Sequence, residues 1–494
     1  MSRQVRRVAA AMFLLFAALF VNLNYLQVIR AESLTSDTRN RRQLLREYDI
    51  QRGSIIAGTG GQAQELATSV DTEDRLRYLR VYPDGPLWAH ATGFYSFIFG
   101  RSQLEQSFNE FLVGSSPDTF ARNIGDLLDG RERRGDDLLT TLRPAVQAAA
   151  RDALGDRRGA VVALDPRTGD ILAEWSNPTY DPNRLSSHDG PEVRAGWDEL
   201  QADPANPLLN RVTSQLYPPG STFKLVTAAA ALEDGIGAEQ TFDDPRTADL
   251  PQTSADIGNF GGGLCNGGNP ITLRRALEVS CNTTFAQLGL DLGAEALIDQ
   301  AEAFGLNREW ESQFPYEPSR IPKELDPPQT AQSAIGQRDV RVTPLQMAMI
   351  VAAIANDGVL MTPRLVREVQ DYEGRVIRQY PVAPLVLPGS AGPQAMAPEN
   401  AALLTEMMVG VVERGTGGGA AVPGVAVAGK TGTAQTGGDN PTVWFVGFAP
   451  AEDPQVAVAV VVEDGGEVGS EATGGRLAAP IAQNVLQAAL HPGG

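Results

Sequence analysis

From Val8 to Val21 the chain runs fourteen residues without a polar side chain, directly after Arg3, Arg6 and Arg7. Continued to Ile29, the stretch is broken only by Asn22, Asn24, Tyr25 and Gln27. Twenty-two helical residues at ~1.5 Å each reach about 33 Å, enough to cross a hydrocarbon core of ~30 Å. Val28-Ile29-Arg30-Ala31 puts a bulky Ile where a cleavage site needs a small residue, so the segment reads as an uncleaved signal anchor. Arginines on both flanks leave the charge count undecided, and a large following domain translocates regardless of them.

Beyond the anchor, residues 30–138 have mixed patterning, with Arg52-Gly53-Ser54-Ile55-Ile56 reading as a short strand. The charged run Arg131 to Asp137 reads as a linker, and Thr140-Thr141 opens a new unit. Leu142 to Leu154 has helical spacing. Gly159 to Leu164 and Ile171 to Trp175 are strand-like and joined by Asp165-Pro166-Arg167-Thr168-Gly169-Asp170, a hairpin joint. Helices are predicted over Thr222 to Leu232, Leu273 to Glu278 and Pro344 to Ala355, the last with Thr343 as N-cap. Three more apolar runs follow at Val425–Ala428, Trp444–Phe448 and Val456–Val462. The last two have only a short connection and must be antiparallel. Ala478 to Leu490 closes the chain as an amphipathic helix. The pattern predicts an α+β fold whose antiparallel sheet takes strands from both ends of its domain. The expected divisions are 1–7 as a cytoplasmic tail, 8–29 as the anchor, 30–138 as an N-terminal pedestal or interaction module, and 139–494 as the main domain.

Composition narrows the chemistry. Lysine and arginine total 41 against 60 acidic residues, a net charge of −19. So acidic a surface repels nucleic acid. The three histidines, His90, His188 and His491, are too few and too scattered for a mechanism built on imidazoles. The two cysteines, Cys265 and Cys281, lie 16 positions apart without the further ligands a zinc site needs, so no metal is expected. In an oxidising compartment they would form one disulfide, in the cytosol two free thiols. Lysine occurs only at Lys224, Lys323 and Lys430. In a chain otherwise supplied with arginine, a lysine stands out because it can surrender its proton when desolvated. Lys323, beside Pro322, has no such context.

Tyr217-Pro218-Pro219-Gly220-Ser221-Thr222-Phe223-Lys224 forces a turn and then a helix. Ser221 falls at the helix start, with Lys224 one turn further on the same face. Backbone N–H groups favour an alkoxide at Ser221 and disfavour charge on Lys224. Bringing a lysine from about 10.4 to about 7 takes roughly 4.6 kcal/mol of bias, which burial and a second cation can supply. A serine nucleophile with a lysine base follows, with no histidine needed. Ser280-Cys281-Asn282 offers a hydroxyl and an amide, although Ser-x-Asn alone is more often a turn or cap. In Lys430-Thr431-Gly432-Thr433, expected to end the strand begun at Val425, a lysine and two hydroxyls suit a carboxylate, and Gly432 lets a backbone approach. Gly424 to Thr431 also matches the phosphate-loop pattern G-x-x-x-x-G-K-[ST]. Its alternating Val and Ala read as strand, and Gly432 to Pro441 cannot start the helix such a loop needs.

Ser-x-x-Lys, Ser-x-Asn and Lys-Thr-Gly in that order resemble the signature of the penicillin-binding proteins. Ser333-Ala334-Ile335-Gly336-Gln337, Trp444 to Pro450 and Arg52 to Ile55 look familial too, so the resemblance covers nearly the whole chain. It is nearest to monofunctional, class B enzymes of the penicillin-binding protein A type. About 110 residues between the anchor and Thr140 are short for a glycosyltransferase domain. The resemblance implies a penicillin-binding transpeptidase fold, an antiparallel sheet flanked by helices, and a peptidoglycan D,D-transpeptidase without cofactors. It implies Ser221 as nucleophile, Lys224 as its base, Ser280 as proton relay aided by Lys430, and Asn282 as peptide holder. Thr431 and Thr433 would bind the terminal carboxylate, with Gly432 between them, and the N–H groups of Ser221 and Thr433 would form the oxyanion hole. Stem peptides, β-lactams, the cell membrane, a glycan polymerase and elongation or division proteins are the implied partners. The alternatives are a D,D-carboxypeptidase, a β-lactamase, or a β-lactam sensor or scaffold with a vestigial site. Cysteine between Ser280 and Asn282 departs from the family pattern; a bond to Cys265 would tie the glycine-rich loop to the site's rim.

Overall fold

The computed structural model describes residues 3–25, 30, 41–58, 63–119, 132–435 and 440–491. Its first helix, Arg3–Asn24, has mean hydropathy 1.7 and no buried residue. It starts five residues before the predicted span because Arg3, Arg6 and Arg7 join the same helix; residues 26–29 lie outside the described chain. Phe13, Phe16 and Phe20 are each about two-thirds exposed or more. A helix this apolar is stable only against hydrocarbon or another apolar surface.

The centre of the molecule is a five-stranded antiparallel sheet in the order Ala428–Ala434, Thr442–Ala449, Val456–Val462, Gly159–Leu164, Ile171–Asn177. Strands from the two ends of the domain are therefore neighbours, as their patterning predicts. Val456–Val462 is buried at every position and so reads as a continuous apolar run, not an alternating one. Helix Pro344–Ala355 covers one face, and the packed pair Pro144–Leu154 and Ala478–Leu490 covers the other. The Thr343 hydroxyl accepts the Gln346 N–H at 3.1 Å, the cap expected there.

Three local readings are corrected. The strand predicted from Val425 begins at Ala428, because Gly424 is left-handed (φ +76°) and the Val425 N–H still bonds Val422 across a turn. The helix predicted from Thr222 is a 3₁₀ turn over Gly220–Phe223 followed by an α-helix over Lys224–Glu233. The charged run read as a linker ends inside a sheet. Residue 131 lies outside the described chain, but Asp136 is buried, Asp137 opens the strand Asp137–Thr140, and its carboxylate accepts the Ser54 N–H at 2.6 Å.

That strand belongs to a second, six-stranded sheet, ordered Val376–Gln379, Val366–Gln370, Asp137–Thr140, Ile55–Ala57, Gln64–Asp71, Tyr78–Val81. Only Ile55–Ala57 and Asp137–Thr140 run parallel. Two of its strands come from residues 366–379, so the N-terminal module and the later chain share one sheet. Its strand Tyr78–Val81 carries Arg80 into an ionic cluster: Glu105 meets Arg52 at 2.5 Å and Arg80 at 2.7 Å, and all three are at most 3% exposed. The 22-residue helix Asn282–Ala303, broken at Gly293 (φ 80°), was not predicted.

Candidate active site

Four consecutive residues build the turn that carries Ser221. Tyr217 exchanges both backbone hydrogen bonds with Val342 at 2.9 Å, and the Trp444 indole N–H bonds the Pro218 carbonyl at 3.1 Å. Gly220 is left-handed (φ +52°), and a Cβ there would lie 2.7 Å from the Thr433 oxygen. Its N–H bonds Gly336, itself left-handed, where a Cβ would lie 2.1 Å from the Gly220 oxygen. Two glycines thus let the Ser221 turn press on both the Lys-Thr-Gly strand and the Ser333–Gln337 segment. Ser221 is partly exposed at the tip, and among the described residues its hydroxyl makes no hydrogen bond.

One turn on, Lys224 is fully buried. Its Nζ donates to the Ser280 carbonyl at 2.7 Å, to Asn282 Oδ1 at 2.7 Å and, at 3.4 Å, to Ser280 Oγ. Lys430, also fully buried, donates to Ser280 Oγ at 2.9 Å and to the Thr431 carbonyl at 3.0 Å. One hydroxyl therefore bridges two amines. Burial first, and then the Lys430 charge, hold the Lys224 amine well below the usual lysine range. Burial alone pushes Lys430 down to about 7. Among the described residues no carboxylate offsets either, so each is biased toward the neutral amine. Ser280 aims its carbonyl at Lys224 from a left-handed conformation (φ +62°), a strain of about 1–3 kcal/mol in a non-glycine residue. The predicted Ser221, Lys224, Ser280, Asn282 and Lys430 come together here from three distant segments.

Comparison with known proteins agrees with this geometry. Residues 159–487 match the penicillin binding protein transpeptidase domain, and residues 52–138 match the penicillin binding protein A dimerisation domain. The chain is 44% identical to a peptidoglycan D,D-transpeptidase PbpA from Mycolicibacterium smegmatis, covering 100% of both chains. Identity to a protein of the same name from Mycobacterium tuberculosis is 43%, over 99% of each. The structure superposes on penicillin-binding protein A from M. tuberculosis in its imipenem acyl-enzyme complex with TM-score 0.84 and 42% identity, covering 90% of this chain and 100% of that one. The chain belongs to the penicillin-binding proteins.

In this penicillin-binding protein the Lys-Thr-Gly motif lies inside its strand, not at its end. Gly432 faces the Ser221 turn, where a Cβ would sit 2.9 Å from the Pro219 oxygen. The phosphate-loop reading is excluded on the same ground, since Lys430 is central to a strand and aims at Ser280. Thr433 is partly exposed beside Ser221, whereas Thr431 is 6% exposed and its hydroxyl meets that of Thr416 at 2.6 Å. Cys265 and Cys281 form a disulfide, with Cα atoms 5.8 Å apart. Asp244 accepts the N–H groups of Cys265, Asn266 and Gly268, which fixes the loop on the other side of that bond.

Sequence reasoning missed three residues. Asn259 Oδ1 accepts the N–H groups of Asn282 and Thr283 at 3.0 and 3.1 Å, capping the long helix from outside it. Glu278, 4% exposed, holds Arg275 and Arg414 just before Ser280. Thr416 is the third. The only signals were a glycine-rich context for Asn259 and Gly415-Thr416-Gly417 for Thr416. A cavity of about 530 Å³ beside Glu463 is lined by Asp156, Arg157, Arg158, Asp464, Gly466 and Glu467 and lies outside the lysine network.

Proposed function

We propose that this chain is a membrane-anchored D,D-transpeptidase that cross-links peptidoglycan stem peptides outside the cell and is inactivated by β-lactams. The observation that carries the reading is the single Ser280 hydroxyl held between two buried amines, one of them three positions after the partly exposed Ser221. Ser221 Oγ attacks the penultimate D-alanine carbonyl and neutral Lys224 takes its proton. The N–H groups of Ser221 and Thr433 receive the oxyanion. Ser280 passes the proton to the departing D-alanine nitrogen as the C–N bond breaks, with Lys430 stabilising the hydroxyl. Asn282 holds the peptide, and Thr431 and Thr433 take the terminal carboxylate with Gly432 giving them room. A neighbouring stem's amine then attacks the ester, forming the cross-link and returning the proton to Ser221. A β-lactam follows the same first step, but its amine stays tethered and does not leave.

Residues 1–7 are the cytoplasmic tail, 8–29 the anchor, 30–138 an interaction module and 139–494 the transpeptidase domain. The module faces a glycan polymerase and elongation or division proteins. The test is labelling of the full chain with fluorescent penicillin, then peptide mapping and an assay of D-alanine release with an acceptor amine. The expected results are one adduct at Ser221, none in Ser221→Ala, and cross-linked product. Release of D-alanine without cross-linking would make the enzyme a carboxypeptidase, and a folded chain without an adduct would overturn the reading.

A further inference from the structure

The hydroxyl of Thr431 is not alone. Thr416, exposed at the site's rim, brings its own hydroxyl to 2.6 Å from it. The backbone of Thr416 has little freedom. Its N–H bonds the Glu278 carbonyl at 3.2 Å, and a Cβ on Gly415 would lie 2.1 Å from that same oxygen. On the other side, a Cβ on Gly475 would lie 2.2 Å from the Thr416 carbonyl. Arg414 and the Glu278 carboxylate close the fixture at 2.8 Å. Glu278 ends the helix that leads to Ser280, so Thr416 is tied to the same element as the proton relay.

Two hydroxyls that share one hydrogen bond use one hydrogen between them, and the acceptor keeps its own. If Thr431 donates to Thr416, it has nothing left to offer an anion. If Thr416 donates, the Thr431 hydrogen is free, and the bond it accepts strengthens it as a donor. Among the described residues neither hydroxyl has another side-chain hydrogen-bond partner, and either can be the donor. We propose that Thr416 is a positioning residue whose hydroxyl, held 2.6 Å from that of Thr431, sets Thr431 as a donor to the substrate's terminal carboxylate. This rests on Thr431 serving the carboxylate, as read above.

The test compares acylation of the full-length chain by benzylpenicillin, which carries the carboxylate, and by its methyl ester, which does not. Thr416→Val keeps the shape and removes the hydroxyl; Thr416→Ser keeps the hydroxyl. Losing a donor that supports a charged acceptor is expected to slow benzylpenicillin about 10-fold in Thr416→Val and to leave the ester within about twofold. Thr416→Ser is expected to restore the preference. The ratio of the two drugs within one preparation does not depend on how much of it is folded. Equal changes for both drugs, no change for either, or a serine variant as impaired as the valine one would overturn the proposal. A wild-type chain that labels at Ser221 yet shows no preference for the free acid would bring down the carboxylate reading itself, and the proposal with it.

Discussion

Two of the clusters of buried ionisable side chains among the described residues are built on opposite principles. In the N-terminal module Glu105 sits between Arg52 and Arg80, with Tyr82 donating to it as well. Burial pushes the Glu105 carboxyl up, and the two guanidiniums more than reverse it, leaving it below the usual carboxylate range. At the active site Lys224 and Lys430 share a hydroxyl and no acid, and burial drives both toward the neutral amine. Opposite charges lock a structure; two buried amines without an acid are held toward the neutral form, the state a base needs. Burial is common to both, and the partner decides the use.

Breaking the lysine pair is expected to have the largest effect on chemistry. Lys224→Met should slow penicillin acylation by about 100-fold to 10⁴-fold, the range for a lost general base. Its unfolding temperature should hold or rise, because an apolar side chain replaces an amine the fold already disfavours charging. A large loss of stability with acylation retained would invert the comparison. Glu105→Gln is the mirror experiment. It leaves two guanidiniums buried without their carboxylate and should destabilise the module by about 3–5 kcal/mol. Acylation per folded molecule should stay the same, and thermal unfolding read beside penicillin labelling separates the two.

Lys430→Met should change the dependence of stability on pH. Lys430 is pushed down to about 7 in the fold against 10.5 for the free side chain. Between those values the unfolded chain binds more protons, so stability rises with pH and is lost as pH falls through about 7. Lys224 adds to the same slope. The variant should show a flatter rise of melting temperature across that window, and an unchanged slope would mean Lys430 is charged in the fold. The smallest effect belongs to the exposed pair Arg77 and Glu132, which meet at 2.9 Å with 39% and 64% of their side chains exposed. Arg77→Ala should leave both melting and acylation where they are, since solvent screens what burial would amplify.

The N-terminal apolar helix, the hairpin Gly159–Asn177, the helices Leu273–Glu278, Pro344–Ala355 and Ala478–Leu490, and the antiparallel sheet were legible because each follows from local periodicity, caps and connection length. The misses share a cause. Val425 was drawn into a strand because a turn at Gly424 has no hydrophobic signature. The helix from Asn282 was passed over because its cap, Asn259, is supplied by a loop more than twenty positions upstream. Thr416 has only its flanking glycines to mark it, and nothing local shows that Glu278 is buried.

The sequence by itself determined which residues could do chemistry: one Ser-x-x-Lys after a forced turn, three lysines among many arginines, and two further motifs in a familial order. Only the tertiary structure decided what those residues are. Ser280 is 56 positions from Lys224 and 150 from Lys430, and the sheet and helices that close over them remove the water that would keep both amines charged. Desolvation comes from packing between distant segments, and so no window of the chain contains it.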